Sequence, residues 1–520
     1  MERLSRELIA HIASFLEREE DQSDVPQSDR KKLPSKLPPF ATISHDWQYA
    51  IERRTYHELR VRNDDIGTFQ INCVGHRRLA LAVLRYDVVL PTYDDKACAR
   101  FEREKDKQIN DETFTRAIET LFRVLKSWES GSQSNGRLSL VIDNVYSPMD
   151  GIHRGLEIFK NDRFQEGVGK RRDLFEYRYI HSSIHLLHPD ELPSLSLVTR
   201  LIGVPVGTRI IDMCAVVDIA GKLSNLQRIE WNLNDNEKRY PDLRQRARLS
   251  FSEALMKYDF PNLKIADVSF LHNAPSNHHA LPAPMIPTSK RQDDPFSTAL
   301  RKLSQSPNLK SLNFSGVIDP SFFWPSSSSP SENQLIWPAL ETLHVTFDIT
   351  SPSGTWYFER DPNDQLDEST AADDNPPAWD GMDSDSATES TSFTSGDDPD
   401  DFDPAREEFF TGQQPVCTFR GIPNNQTLPP LLEAMAKAAA QMPKLQALSL
   451  SIYLDAKEVE WAVSYYAPDR CPWVSQGEAD DLPKRRLYWE VGNWRPDPEL
   501  SALWRKVQAD SGVEMVERFF

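Results

Sequence analysis

SNLQRIEWNL (224–233), PNLKIADVSF (261–270), PNLKSLNF (307–314), PALETLHVTF (338–347) and PKLQALSLSI (443–452) are five versions of one phrase. In each, a proline or serine stands two residues before a leucine, and apolar residues follow that leucine at fixed odd offsets. The sets are Leu226, Ile229, Trp231 and Leu233; Leu263, Ala266, Val268 and Phe270; Leu309, Leu312 and Phe314; Leu340, Leu343, Val345 and Phe347; and Leu445, Leu448, Leu450 and Ile452. In a chain with 39% hydrophobic residues such a comb recurs by chance, so the apolar pattern alone decides nothing. Pro261, Pro307, Pro338 and Pro443, at the same place in four of the five copies, make it an internal repeat. The period of two reads as one short strand per unit, with the apolar side chains on one face.

Four copies follow stretches rich in helix formers with apolar residues three or four apart: IDMCAVVDIAGKL, RARLSFSEALMKY, FSTALRKLSQ and LPPLLEAMAKAAAQM. The copy at Leu340 follows a Ser/Pro loop instead. Upstream, LAVLRYDVVL repeats the comb with Leu81, Leu84, Tyr86 and Val88. RLSLVID does so with Leu138, Leu140 and Ile142, after the amphipathic stretch DETFTRAIETLFRVLKSW. LPSLSLVTRLI, around Leu195, is a poorer copy because its spacing puts Arg200 inward. The expected fold class is α/β, a curved, irregular solenoid of strands and helices from about residue 78 to 455 whose core is shared between neighbouring units.

The interval between the last two copies, 105 residues from Leu340 to Leu445, is too long for one unit. Glu359 to Glu408 contains 18 Asp/Glu and two Arg, a net charge of −16 out of −19 for the whole chain. Such a segment has too little apolar surface to offset the entropy of ordering, so a disordered acidic insertion is expected over 359–425. Ser386, Thr394 and Ser395 stand three residues before acidic positions, a setting acidophilic kinases favour. The remaining chain is close to neutral, which leaves no basic footprint for nucleic acid.

At the C-terminus, 426–520 holds the last repeat and a cap. KRRLYWEVGNWRPDPELSALWRKV reads as strand, turn and helix, with Tyr488, Trp489, Trp494 and Trp504 as a hydrophobic plug. At the other end, RLSRELIAHIASFL places Leu4, Leu8, Ile12 and Phe15 on one helical stripe, widened by Ile9 and Leu16. After a polar stretch, LPPFATISHDWQYAIERR contributes Ile43, Ser44 and Trp47. The alternative for the first helix is a capping helix that covers the first repeat and binds nothing.

This Leu-x-x-Glu-Leu stripe followed by an Ile-Ser-x-x-Trp helix resembles the F-box, and the whole chain resembles the fungal F-box proteins with degenerate leucine-rich repeats. Ser5 stands where the F-box usually has proline, and the insertion 17–39 is longer than the usual spacer. The resemblance implies an F-box-like helical module over 1–60, a leucine-rich-repeat-like array over 61–358, and the role of substrate receptor in a Skp, cullin, F-box ubiquitin ligase. It implies that Leu4, Leu8, Ile12, Leu16, Ile43 and Trp47 are divided between the module's core and the contact with a Skp-type adaptor, and through it a cullin. A protein target would meet the array at the residues alternating with the inward leucines: Glu230, Asn232, Asp267, Ser269, Asn313, His344, Thr346, Ser449 and Ser451. A leucine-rich interaction scaffold outside any ligase is the alternative.

No catalytic signature is recognisable, and no cofactor is implied. Cys73, Cys98, Cys214, Cys417 and Cys471 are scattered, with no C-x-x-C pair, as free thiols of a reducing compartment would be. GVGKRRD (167–173) lacks the first glycine and the hydroxyl residue of a phosphate-binding loop. His181, His185 and His188, four and three residues apart, would share a face only if their segment were helical. With Asp190 nearby they are the candidates for a metallohydrolase site, against ordinary loop histidines. No secretory signal and no membrane span are expected, which points to the cytoplasm or nucleus.

Overall fold

The computed structural model describes residues 5–18, 37–94, 97, 101–129, 137–150, 178–179, 181–203, 209–237, 240–286, 293–326, 336–362, 412–413, 415–470 and 481–520. Leu4, most of the acidic insertion with its three hydroxyl positions, the loop 167–173, and Cys98 and Cys471 lie outside them.

The fold is α/β. Twelve strands form one sheet in which strand order follows chain order. They are β1 (Glu58–Arg62), β2 (Val83–Val89), β3 (Leu138–Tyr146), β5 (Val198–Gly203), β7 (Arg228–Asn234), β8 (Ile265–Leu271), β9 (Ser311–Gly316), β10 (Thr342–Phe347), β13 (Ala447–Leu454), β14 (Val459–Tyr466), β15 (Arg485–Glu490) and β16 (Met515–Phe519). Pairing is parallel from β1 through β13. It is antiparallel across β13, β14 and β15, and parallel again to β16. Two small pairs stand apart: β4 (Ser183–Ile184) with β6 (Ile210–Ile211), and β11 (Phe358–Arg360) with β12 (Arg420–Pro423).

The register shows what the repeat phrase does. Ile229, Ala266, Leu312, Leu343 and Leu448 lie side by side across five strands, and so do Trp231, Val268, Phe314, Val345 and Leu450. All ten are at most 3% exposed. Burying each larger side chain stabilises the fold by about 1.5–3 kcal/mol before entropy is counted. The prolines have a local cause. The amides of four of the five leading leucines donate to a carbonyl three residues back: Leu263 to Phe260 (3.2 Å), Leu309 to Ser306 (3.1 Å), Leu445 to Met442 (3.2 Å) and Leu226 to Leu223 (3.1 Å). Pro261, Pro307 and Pro443 thus occupy the second position of a β-turn, where a fixed φ is an advantage and no N–H is needed. Asn262 and Asn308 donate side-chain bonds to Ser224 O (3.1 Å) and Pro261 O (2.7 Å), tying each turn to the one before.

Between strands run α5 (Glu104–Glu129), α6 (Met213–Gly221), α7 (Pro241–Lys257), α8 (Pro295–Ser304) and α9 (Leu428–Ala440), preceded by α1 (Arg6–Arg18), α2 (His45–Thr55), α3 (Ile66–Asn72) and α4 (His76–Ala80) and followed by α10 (Pro498–Arg505). Helices α6, α7 and α8 pack in series, and their apolar faces join the inward strand residues in one core running from Val61 to Val507.

Three expectations change. Arg200 lies on the open face, not inward, because the register with β3 slips between Leu138 and Ser139, and the extra residue turns Arg200 outward while Val198 and Leu201 stay buried. The insertion is narrower than 359–425, since β11 and β12 pair across its base and Phe419 is buried. The C-terminal segment does more than plug the array: β14, β15 and β16 extend the same sheet, with Trp489 and Trp504 each 0% exposed beneath them.

Candidate functional site

The open face of the sheet brings together every residue named for target contact. Glu230, Asp267, Asn313, His344 and Ser449 form one register row, and Asn232, Ser269, Thr346 and Ser451 fall in the next, completed by Ser315. Both rows border an open concavity of about 560 Å³, whose lining includes Arg228, Glu230, Asn232, Asp267, Ser269, Asn313, Ser315, His344 and Thr346.

The first row is bonded to itself. Arg228 pairs with Glu230 (2.5 Å) and Asp267 (3.1 Å), and Arg200 Nε donates to Glu230 (2.9 Å). Asn313 Nδ2 donates to Asp267 Oδ1 (2.6 Å), and His344 Nδ1 meets Ser449 Oγ at 2.7 Å. Loss of water around the His344 ring lowers its pKa. On β1 to β3 the ladder continues: Arg60 pairs with Asp143 and Asp87, and Arg85 with Glu58 (2.5 Å) and Asp143 (3.3 Å). Glu58, Asp87, Asp143, Glu230 and Asp267 thus share four arginines, each acid within reach of at least one.

Sequence reasoning missed Ser315, Arg228, Arg60 and Arg85, although the same alternation that picked Asn313 and Glu230 reaches Ser315 and Arg228. Arg200 was hidden by the bulge.

The N-terminal helices form a second candidate surface. Ser5 Oγ accepts from Leu8 N–H (3.3 Å), so the serine standing where the F-box usually has proline starts α1 as an N-cap. Ser44 caps α2 by accepting from the Trp47 backbone N–H (3.4 Å). Helix α1 packs on α2, burying Ile9 (3%) and Ala13 (0%). Leu8 (52%), Ile12 (37%) and Ile43 (57%) are left exposed, while Trp47 is half-buried and stacks on Phe40 at 6.1 Å. Leu16 belongs to α1. Glu52 joins α2 to α4, receiving Arg77 Nη2 (2.6 Å) and His76 Nε2 (2.6 Å) from α4 and Gln48 (2.9 Å) from its own helix. The Arg77 bond foremost pulls its carboxyl down to about 2.

The three histidines do not converge. Their segment contains β4 and turns but no helix. His181 Nδ1 faces Glu237 (2.8 Å), His185 Nδ1 faces Asp212 (2.6 Å), and His188 sits in the left-handed region at φ 54° before a short turn. Asp190 pairs with Lys257 (2.8 Å). Among the described residues no group of three or more His, Cys, Asp or Glu is placed to hold a metal ion, and no helix is long and apolar enough to cross a membrane.

No protein-family model matches the chain, and no curated protein matches it.

Proposed function

We propose that this chain is the non-catalytic substrate receptor of a Skp, cullin, F-box type ubiquitin ligase, working in the cytoplasm or nucleus. Its N-terminal helices dock on a Skp-type adaptor, and through it a cullin. Its parallel strand-and-helix array, read as a leucine-rich-repeat-like solenoid, holds a protein target on the open face. The observation that carries the reading is the division of apolar residues on α1. Ile9 and Ala13 pack inward, which leaves Leu8 and Ile12, one turn apart on α1, exposed; Ile43, just ahead of α2, is exposed as well. Apolar side chains left exposed together at the end of a helical module are the usual mark of a partner surface. The concavity on the sheet suits a protein partner, because charged, amide and hydroxyl groups stand beside the apolar Trp231, Val268 and Phe314 in its lining.

The test is co-purification with a Skp-type adaptor, comparing wild type with the Leu8→Glu, Ile12→Glu pair. Recovery with wild type and loss with a pair that keeps its circular dichroism spectrum is the expected result. Recovery with neither leaves the scaffold reading, in which the same array binds partners outside any ligase.

A further inference from the structure

The two rows of the open face differ in one respect that bears on what they hold. In the Glu230 row each side chain already has a partner on a neighbouring strand, whereas Asn232, Ser269, Ser315, Thr346 and Ser451 have none among the described residues. These five occupy adjacent parallel strands in continuous register. All are partly or fully exposed, and four of them, Ser451 excepted, line the concavity. Each presents a neutral donor and acceptor on a short stem.

We infer that this row is the contact line for an extended, uncharged stretch of polypeptide laid across β7 to β13, an inference that rests on the receptor reading for its premise that the ligand is a protein. Charge complementarity selects the uncharged ligand. Glu230 is answered by Arg200 and Arg228, and Asp267 by Arg228, so a charged side chain placed here would lose water and gain no counter-ion. Length selects the extended form. Four inter-strand steps of about 4.8 Å span about 19 Å, the reach of about six extended residues. An extended main chain offers one neutral donor and one acceptor per residue, the chemistry that five hydroxyl and amide side chains satisfy. The self-bonded Glu230 row beside it forms a fixed wall that keeps the segment in register with the open row.

The probe is a library of N-acetylated, C-amidated ten-residue peptides of Ser, Thr, Asn, Gln, Gly, Ala, Val and Tyr, with a second library carrying Lys or Asp at each position in turn. Both are captured by the full chain and read by mass spectrometry. The expected result is retention of peptides with an uncharged core of about six positions. The variant Ser269→Ala, Ser315→Ala, Thr346→Val, Ser451→Ala should weaken the best peptide by about tenfold or more, while Thr120→Ala on α5 leaves it unchanged. A single Ser315→Lys should also abolish capture without altering the melting temperature. Equal binding by the fourfold variant, preference for charged peptides, no retention at all, or displacement by neutral maltohexaose more readily than by peptide overturns the inference. Adaptor binding is measured on the same preparations. Adaptor bound without peptide overturns this inference alone, and peptide bound without adaptor overturns the ligase reading alone.

Discussion

Replacing Asp235 by Asn removes a negative charge from an enclosed ionic group that links successive units. The residue follows β7 directly, and its side chain is 0% exposed. Its carboxylate receives Arg244 Nε and Nη2 at 2.8 and 2.9 Å and Arg248 Nη1 at 2.6 Å, both guanidinium groups coming from α7. Arg248 reaches on to Asp294 (3.2 Å), which caps α8, and to the Val317 carbonyl (3.2 Å) beyond β9, while its guanidinium lies 3.8 Å from the centre of the Phe296 ring. Asp235 and Asp294 together thus answer two buried cations that fasten three consecutive units. Asn keeps the shape but turns a donor toward donors and leaves positive charge uncompensated, which for a broken buried pair costs about 3–5 kcal/mol. The assay is urea unfolding at pH 7, followed by tryptophan fluorescence, with Arg248→Met and the double variant completing a cycle. The double variant should recover about 1–3 kcal/mol of coupling. Burial alone would raise the Asp235 pKa, but Arg244 and Arg248 hold it well below the carboxylate range. A depressed pKa makes this contribution constant above the unfolded carboxylate pKa and erodes it as pH falls below. The gap between wild type and Asp235→Asn should therefore be flat from pH 5 to 7 and narrow in stronger acid. A loss below about 1 kcal/mol at pH 7, the scale of an ordinary surface pair, would refute the assignment of Asp235 as a buried anchor.

Two further outcomes are expected. Glu52→Gln should cost about 2 kcal/mol of local stability, because a buried charged acceptor of Arg77 is lost. Hydrogen exchange should quicken across 45–55, and the Glu52 contribution, present above the ordinary glutamate range, should fade as pH drops toward 2. His278 accepts from the Phe419 and Arg420 amides at Nδ1 (2.8 and 2.9 Å), and burial, with Arg420 adjacent, lowers its pKa to about 4. Its contribution to stability is complete above the unfolded histidine pKa and is lost as pH falls from there toward 4, where the ring itself takes a proton. Melting temperatures should therefore drop more steeply for wild type than for His278→Asn, which keeps an acceptor but cannot take a proton.

The strands of the repeat were legible because each unit writes its turn, its period and its burial in the same ten residues. Proline fixed the turn, and the alternating apolar positions fixed the face. Where those signals part, the sequence misleads. A slipped register at Leu138 reverses Arg200 without altering its neighbours' apolar pattern. β14 and β16 lack the Pro-x-Leu opening and join the sheet through their place next to β13 and β15. On α1 the hydrophobic stripe left open which of its residues pack and which meet a partner; the structure buries Ile9 and the small Ala13, which lets α2 approach closely, and leaves Leu8 and Ile12 exposed. The polar rows were half-visible: alternation named their members, but only the register reveals that one row satisfies itself and the other does not.

Hydrogen–deuterium exchange of the full chain, alone and with a purified Skp-type adaptor, tests the receptor reading most directly. Protection confined to 6–18 and 38–55, absent in the Leu8→Glu, Ile12→Glu pair, is the result expected if the exposed side of α1 is the adaptor contact. No protection in either segment, or protection on the open sheet face instead, would contradict it.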